Sequence, residues 1–393
     1  MNLKALNPIK TEEVREEWKV DITGTPSDQM WTFSSPVELP DIPIIMQDNG
    51  KSPDNGIKLA MFVDPYRLNI KKVPCNLSKK AGYIPQTNTL DFFSEAYNEP
   101  DAGSIQFEMD GMVYSAGHLA ADEGGDVQLG CDKWVDMKPR VVAALNLFGI
   151  EGDFALCPTA TYETLEHFQS QCRHIEDEVL GGFNWNTIAG SYKAQLYQGE
   201  KGLYPIPESS ESWRFREIVH QNKKHSLKGK FNVTVEAGFQ TTNLMFRKDK
   251  GAPNTVLSKA LKDLGGNDFY AEVARRIGAA NPQSPELINA INNGDAEIYL
   301  PEKQRTVQLR SVVNEVKPTY EKKYAETILE HMRSEYRIVT LSGGMMHLFG
   351  AAIKRALEAK GFEVHVAPNF PELAQIVSMS FSAVERFYKL FNS

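Results

Sequence analysis

The stretch from Tyr336 to Ala367 restricts the fold of this chain more than any other. It reads YRIVTL, SGG, MMHLFGAAIKRALEAKG and FEVHVA. An apolar run, a glycine pair, a segment of helical period and a second apolar run predict strand, turn, helix and strand, with Gly361 stopping the helix. That alternation belongs to an α/β layer.

The rest of the chain repeats the plan. KLAMFV from Lys58 and NIKKV from Asn69 predict a strand and its partner, and SIQFEMDGMVYSAG predicts a hairpin turning at Asp110-Gly111. MKPRVVAALNLFGI follows as a helix with Val141, Ala144, Leu145 and Phe148 on one face and Gly149 as its stop, then FALCP as a strand ended by Pro158. In the second half FNVTVEAGFQTTNLMF is a hairpin, LSKALKDLGGNDFYAEVARRIGAA is helical with a break at Gly265-Gly266, and SVVNEVKPTYEKKYAETILEHMRSEY is a long helix. The basic, polar HQNKKHSLKGK between the halves marks a domain junction. Residues 1–56, rich in Pro, Asp, Asn and Ser as in LPDIPIIMQDNGKSPDNG, predict a largely disordered extension, within which TEEVREEWKV makes a short helix carrying Val14 and Trp18. The organisation expected is therefore an extension over 1–56 and two α/β domains over 57–228 and 229–393.

Charge and composition narrow the function classes. With 43 Lys+Arg against 51 Asp+Glu the net charge is -8, so no global basic field draws nucleic acid, and direct nucleic-acid binding is not expected. No run reaches the roughly 18 apolar residues of a membrane helix, so membrane insertion is not expected. Cys75, Cys131, Cys157 and Cys172 form no C-x-x-C pair, and the first residues lack a basic-then-apolar leader, which suits reduced thiols in a cytoplasmic protein. His167, Cys172 and His174 share no helical face and predict no zinc site. There is no G-x-S-x-G elbow for Ser/His/Asp chemistry.

Two hairpins, KLAMFVDPYRLNIKKV and KFNVTVEAGFQTTNLMFRK, match each other. Each has an apolar strand ending in a carboxylate (Asp64, Glu236), a short turn, and a polar pair opening the return strand. A phosphate-handling protein needs backbone N–H groups and hydroxyls turned toward oxyanions, with carboxylates to hold Mg²⁺ through water; plain structural hairpins are the alternative. Ser342-Gly343-Gly344 between strand and helix lets a ligand approach the backbone. A dinucleotide-binding unit would need G-x-G-x-x-G, which SGGMMH lacks.

With these motifs in this order, the chain resembles the actin-like ATPase superfamily, in particular the ParM/StbA-type bacterial plasmid-segregation filament proteins. FVDPYRLNIK resembles the first phosphate hairpin of that family and VTVEAGFQTTNLMF the second. LGGNDFYAEV is similar to its Leu-Gly-Gly segment, VTLSGGMMHLFGAAIK to its adenosine-binding turn and helix, and PNFPELAQIVSMSFSA to its closing segment. The resemblance runs from Ile57 to Ala383 and implies an actin-like (ribonuclease H-like) fold, two related domains around a nucleotide cleft. It places Asp64, Asn69, Lys71, Glu236, Gly238, Thr241 and Thr242 around phosphates, with Asp64 and Glu236 at the metal. Gly343, Gly344 and Met345 come under the base, and Gly265, Gly266 and Glu272 near ribose or base. Thr161 and Glu163 are the candidates for positioning the attacking water beside Glu236, with helix-start residues as their alternative reading.

The departures are equally specific. Tyr66 and Leu68 stand where the family has glycine, Pro65 removes an N–H donor, Glu236 replaces Asp and Ala237 replaces Gly. The resemblance implies ATP or GTP with Mg²⁺ as cofactor, self-association into filaments in the cytoplasm, and a DNA-binding adaptor as partner if the role is plasmid segregation. Two alternatives stay open: a filament protein with reduced or lost hydrolysis, and a small-metabolite kinase of the same superfamily.

Overall fold

A computed structural model of the chain describes residues 18–50, 56–84, 104–122, 133–248, 251–367 and 370–392. The chain divides into two compact units. The first comprises Val20–Glu208 with Met379–Ser393, the second Ser209–Ser378 with the residues up to Lys19.

In the first unit, strands β1 (Val20–Gly24), β2 (Asp28–Phe33), β3 (Ile44–Asn49), β4 (Ile57–Asp64), β5 (Arg67–Val73), β6 (Leu77–Ala81), β7 (Ser104–Met109), β8 (Met112–Gly117), β9 (Gly152–Ala160), β10 (Phe183–Thr187), β11 (Gly190–Leu196) and β12 (Ile206–Pro207) join one sheet. Its order is β1-β2-β5-β4-β3-β9-β11-β10-β7-β8-β6, with β12 beside β9. Helices α1 (His118–Asp122), α2 (Met137–Phe148) and α3 (Leu165–Val179) belong to the same unit. The β7–β8 hairpin turns at Asp110-Gly111 with both residues at positive φ, the geometry that Asp-Gly favours. Helix α2 ends at Gly149, whose φ of 63° lets its N–H cap Asn146 O. Every residue of β3 is buried, as befits a strand covered on both faces. The core on one side gathers Ile45, Leu59, Val141, Leu145, Phe154, Ile175 and Phe183. Elsewhere in the unit, Phe381 from the C-terminal stretch meets Phe33 and Phe62 edge-on at 5.0 and 5.4 Å.

The extension expected over 1–56 is corrected here, because residues 20–49 supply β1, β2 and β3. Proline and Asp in this region mark turns between strands rather than disorder. In DQMWTF the side chains alternate between half-buried and buried, with Trp31 and Phe33 inward and Trp31 Nε1 donating to Gln29 Oε1 at 2.9 Å. The helix expected at TEEVREEWKV lies outside the described residues except for its end, where Trp18 meets Phe215 edge-on at 6.0 Å.

The second unit contains α4 (Phe215–His220), β13 (Asn232–Ala237), β14 (Thr242–Arg247), β15 (Lys259–Leu261), α5 (Asn267–Ile277), α6 (Pro285–Asn293), the hairpin β16 (Glu297–Leu300) and β17 (Arg305–Gln308), α7 (Leu309–His331), β18 (Ile338–Ser342), α8 (Met346–Ala359), β19 (Glu363–Val366) and the first turn of α9 (Ala374–Phe391). Its main sheet runs β15-β14-β13-β18-β19. Helix α8 buries Met346, Phe349, Ile353 and Leu357 at helical spacing, and these join Val233, Val235, Val339 and Leu341 of the strands in one core. The helix expected to begin at Leu257 starts only at Asn267; β15 and a turn precede it.

The units part at 208/209 rather than at 228/229, and residues 379–393 go with the first. Residues after Ser209 are tied into the second unit by polar contacts that sequence periodicity does not reveal. Glu211 N–H donates to Gln375 Oε1 at 3.0 Å, and Arg247 pairs with Glu211 at 3.7 Å.

Both units contain the same five-strand arrangement. In β5-β4-β3-β9-β11 the pairings run antiparallel, antiparallel, parallel, parallel. In β15-β14-β13-β18-β19 they run in the same order. By position, β3 corresponds to β13 and β4 to β14.

Candidate functional site

In the second unit the strand end, a group of glycines and a helix start form one hydrogen-bonded nest. Glu236 is the penultimate residue of β13 and lies in register with Ser342 of β18. It accepts a hydrogen bond from Ser212 Oγ at 3.3 Å. Gly238 N–H donates to Thr241 O at 2.8 Å and closes the turn, while buried Thr242 donates its hydroxyl to Leu264 O at 2.6 Å. Gly266 N–H and Asn267 N–H reach back to Gly238 O and Phe239 O at 3.1 and 2.7 Å. This close approach explains Gly265, where a Cβ would collide with the backbone of Gln240.

Gly343 has φ +95°, and a Cβ there would strike the Ala237 carbonyl. The same carbonyl accepts from Met345 N–H at 3.0 Å, and Met345 Sδ fills the space a Gly266 side chain would need. Gly344 differs: nothing lies within 4 Å of its would-be Cβ, so its backbone faces open space beside the start of α8. Glu236, Gly238, Thr241, Thr242, Gly265, Gly266, Gly343, Gly344 and Met345 are thus brought together. Glu272 is not part of this set of bonds. Its carboxylate is taken by Arg275 Nη2 at 2.7 Å and Arg276 Nε at 2.8 Å, and hydrogen bonds from Arg275 and then Arg276 lower its pKa to about 2.

In the first unit the expected residues do not assemble. Asp64 Oδ1 accepts from Tyr66 N–H and Arg67 N–H at 2.8 and 2.9 Å, and Oδ2 from Arg67 Nε at 2.6 Å, an Asx-type turn. Those bonds, the Arg67 side chain first, hold its pKa below the ordinary value. Asn69 and Lys71 point their ends at Asp28 on β2, at 3.2 and 2.8 Å. All three sit on the β4–β5 hairpin. Its turn, with Asp64, is at the far end of β4 from the β3–β4 turn, about 20 Å away at roughly 3.3 Å per residue, whereas β5 runs back along β4 and places Asn69 opposite Met61 and Lys71 opposite Leu59, with the Lys71 ammonium held by Asp28.

The β3–β4 turn is the true counterpart of the β13–β14 turn. Aligning IIMQDNG with NVTVEAG places Asp48 over Glu236 and Gly50 over Gly238. Asp48, buried, lies beside Lys133 Nζ at 2.8 Å, Thr159 Oγ1 at 2.8 Å and Lys58 Nζ at 3.5 Å. Burial alone would raise the Asp48 pKa, but Lys133 and Lys58 together carry it far below the ordinary range. Gln47 Nε2 donates to Asn49 Oδ1 at 2.9 Å, and Asn49 Nδ2 to Lys133 O at 3.3 Å. A Cβ on Gly50 would collide with the Gly56 carbonyl. The missed signal is D-N-G-x₅-G-x-K over residues 48–58, a carboxylate and paired glycines flanking a strand change; its turn-rich letters read as disorder. Strand β9 continues past Pro158 and delivers Thr159 to this cluster. Thr161 follows it, buried, and Glu163 is half-buried. Helix α3 is capped by Thr164, which accepts from His167 N–H at 3.1 Å, so neither Thr161 nor Glu163 is the cap.

Two units with this repeated strand order, each ending its central strand in a carboxylate turn, decide the architecture. This is the actin fold. No protein-family model and no curated protein sequence matches the chain. Solved structures do. The archaeal actin homolog Ta0583, also solved in complex with ADP, is 16% identical at a TM-score of 0.64, over 88% of this chain and 100% of that one. ParM in a 15-stranded filament from Clostridium botulinum is 16% identical at 0.63, over 89% and 100%. The actin-like protein Alp7A is 11% identical at 0.63, over 89% and 97%. At these identities the likeness is one of fold. Among the described residues no helix is long and apolar enough to cross a membrane, and no three His, Cys, Asp or Glu cluster as for a metal ion.

Proposed function

We propose that this actin-fold chain binds an adenine or guanine nucleotide and polymerises with copies of itself into filaments under the nucleotide's control. The observation that carries the reading is the glycine nest of the second unit. The open Gly344 face beside the start of α8 lets a nucleoside approach the main chain. Neighbouring folds include an ADP complex and a ParM filament, which supports the same chemistry for this chain. In this reading Gly343, Gly344, Met345, Gly265 and Gly266 carry the nucleoside. In the second unit Gly238, Thr241 and Thr242 are the groups suited to an oxyanion, and in the first unit Gly50 and Lys58 of the β3–β4 turn are.

Mg²⁺ is the cation expected with such a nucleotide. Glu236, half-buried at a strand end, has the charge to hold one of its waters. When bound, the ion would neutralise charge developing on the γ-phosphate. Thr161 and Glu163 remain the proposed positions for orienting water. Movement of plasmid DNA through a DNA-binding adaptor, in the cytoplasm, is the cellular role proposed.

The second reading is a filament with slowed turnover, favoured by Glu236 and Ala237. Glu carries its carboxylate one methylene further than Asp, and Ala237 is buried with its carbonyl already bonded to Met345. Pelleting and light scattering with ATP, GTP or no nucleotide, alongside phosphate release, separate the two. Nucleotide-dependent assembly with steady phosphate release supports the first; assembly regardless of nucleotide supports the second. A chain that never assembles contradicts both.

A further inference from the structure

Lys133 has a place that neither the fold nor the nucleotide reading requires. It stands in the turn before α2, with its side chain 4% exposed. Its ammonium lies 2.8 Å from Asp48 Oδ1, 2.9 Å from Glu208 Oε1 and 3.2 Å from Thr159 Oγ1. Three donors therefore meet three oxygens, two of them anionic. Burial alone would lower the Lys133 pKa, but Asp48 and Glu208 raise it well above the ordinary value, so the group is charged. The other Asp48 oxygen faces Lys58 at 3.5 Å.

This donor set does not fit a divalent cation. Mg²⁺ takes oxygens at about 2.0–2.1 Å in octahedral geometry and keeps several waters. The oxygens that could serve it here already surround a monovalent charge at 2.8–3.2 Å, and an added ion would be repelled by that ammonium. An ammonium held by two carboxylates and a hydroxyl is the arrangement of a bound cation supplied by the chain itself.

We propose that Lys133 is an internal cation: its ammonium fills the place between Asp48 and Glu208 that a divalent ion would take. Any metal accompanying the nucleotide is then not held by Asp48. The second statement rests on the nucleotide reading above, whereas the first does not. The charge balance follows directly. Two carboxylates, Asp48 and Glu208, face two ammonium groups, Lys133 and Lys58, and removing Lys133 leaves one net negative charge among buried oxygens.

The test uses the full chain without nucleotide and Mn²⁺ alone as the probe, followed by its paramagnetic resonance signal. Wild type is expected to show no stoichiometric Mn²⁺ that Asp48→Asn removes. Lys133→Gln is expected to take up one equivalent, and adding Asp48→Asn to it to abolish the uptake. A wild-type Mn²⁺ that Asp48→Asn removes overturns the proposal, as does a folded Lys133→Gln that gains none. If Lys133→Gln unfolds without metal, millimolar Mn²⁺ should restore its melting transition, and absence of rescue overturns the proposal. Isothermal titration with ATP is run separately. No ATP binding alongside the expected Mn²⁺ pattern would sink the nucleotide reading alone.

Discussion

The turn after β3 and the turn after β13 occupy equivalent places in two sheets of the same order, yet they are built differently. The β13 turn is a backbone device: Gly238, Gly265 and Gly343 bring main chains together, and its carboxylate, Glu236, is half-buried with a neutral hydroxyl at 3.3 Å. The β3 turn is a charged device, with Asp48 buried under two ammonium groups. One topology therefore supports two ways of presenting a strand end, and variants should separate them.

Lys133→Met should have the largest effect on stability. It strands Asp48 and Glu208 without their shared partner, which costs about 3–5 kcal/mol in denaturant unfolding. A cost under about 1 kcal/mol would mean that the ion cluster is solvated and the contrast between the turns is false.

Gly343→Ala comes next, at about 3 kcal/mol, because a left-handed backbone and a carbonyl collision coincide there. Gly344→Ala sharpens the point. It should change stability by less than about 0.5 kcal/mol, yet lower ATP affinity at least tenfold in titration calorimetry by capping the open backbone face. Equal effects of the two substitutions on stability would contradict the division of roles between the glycines.

Asp48→Asn and Glu236→Gln compare the two carboxylates directly. The first should cost about 2 kcal/mol at pH 7 and the second about 0.5 kcal/mol. Because folding depresses the Asp48 pKa, its contribution is complete above the unfolded value of about 3.9 and is lost as pH falls through the folded value. The gap between wild type and Asp48→Asn should therefore be flat from pH 7 to about pH 5 and close only below about pH 4. A gap that closes near neutrality would show that another group is titrating.

Asp64→Ala should have the smallest effect on nucleotide binding. It removes an exposed turn bond set worth about 1 kcal/mol and should leave ATP affinity unchanged.

What the sequence revealed and what it hid follow the same division. Backbone devices leave letters behind: SGG after an apolar run, Gly265-Gly266 before a helix and Asp110-Gly111 in a hairpin are each where a glycine is needed, and each reads directly. The charged device draws on Asp48, Lys58, Lys133, Thr159 and Glu208, which lie far apart in sequence, so no local window shows it. Its strand, IIMQDN, also sits among proline- and asparagine-rich letters that read as disorder. The duplication itself is legible, but the letters alone pair NVTVEAG with the wrong hairpin. KLAMFVDP ends in a carboxylate as NVTVEAG does, and only the order of strands shows that Asp64 caps the opposite end of β4. The strand DQMWTF was hidden too, because its inward face carries Gln29 with Trp31 and Phe33 and its outward face carries Met30, so apolar and polar letters do not alternate.

The assignment of phosphate handling to the β3–β4 turn is tested most directly by two lysines. Lys58 follows that turn, and Lys71 lies on the β4–β5 hairpin in a bridge to Asp28. ATP affinity should be measured by calorimetry for Lys58→Gln and Lys71→Gln in the full chain. The account predicts at least a tenfold loss for Lys58→Gln and less than a twofold change for Lys71→Gln. A tenfold loss for Lys71→Gln with Lys58→Gln unchanged would contradict it, because Lys71 lies opposite Leu59 with its ammonium held by Asp28.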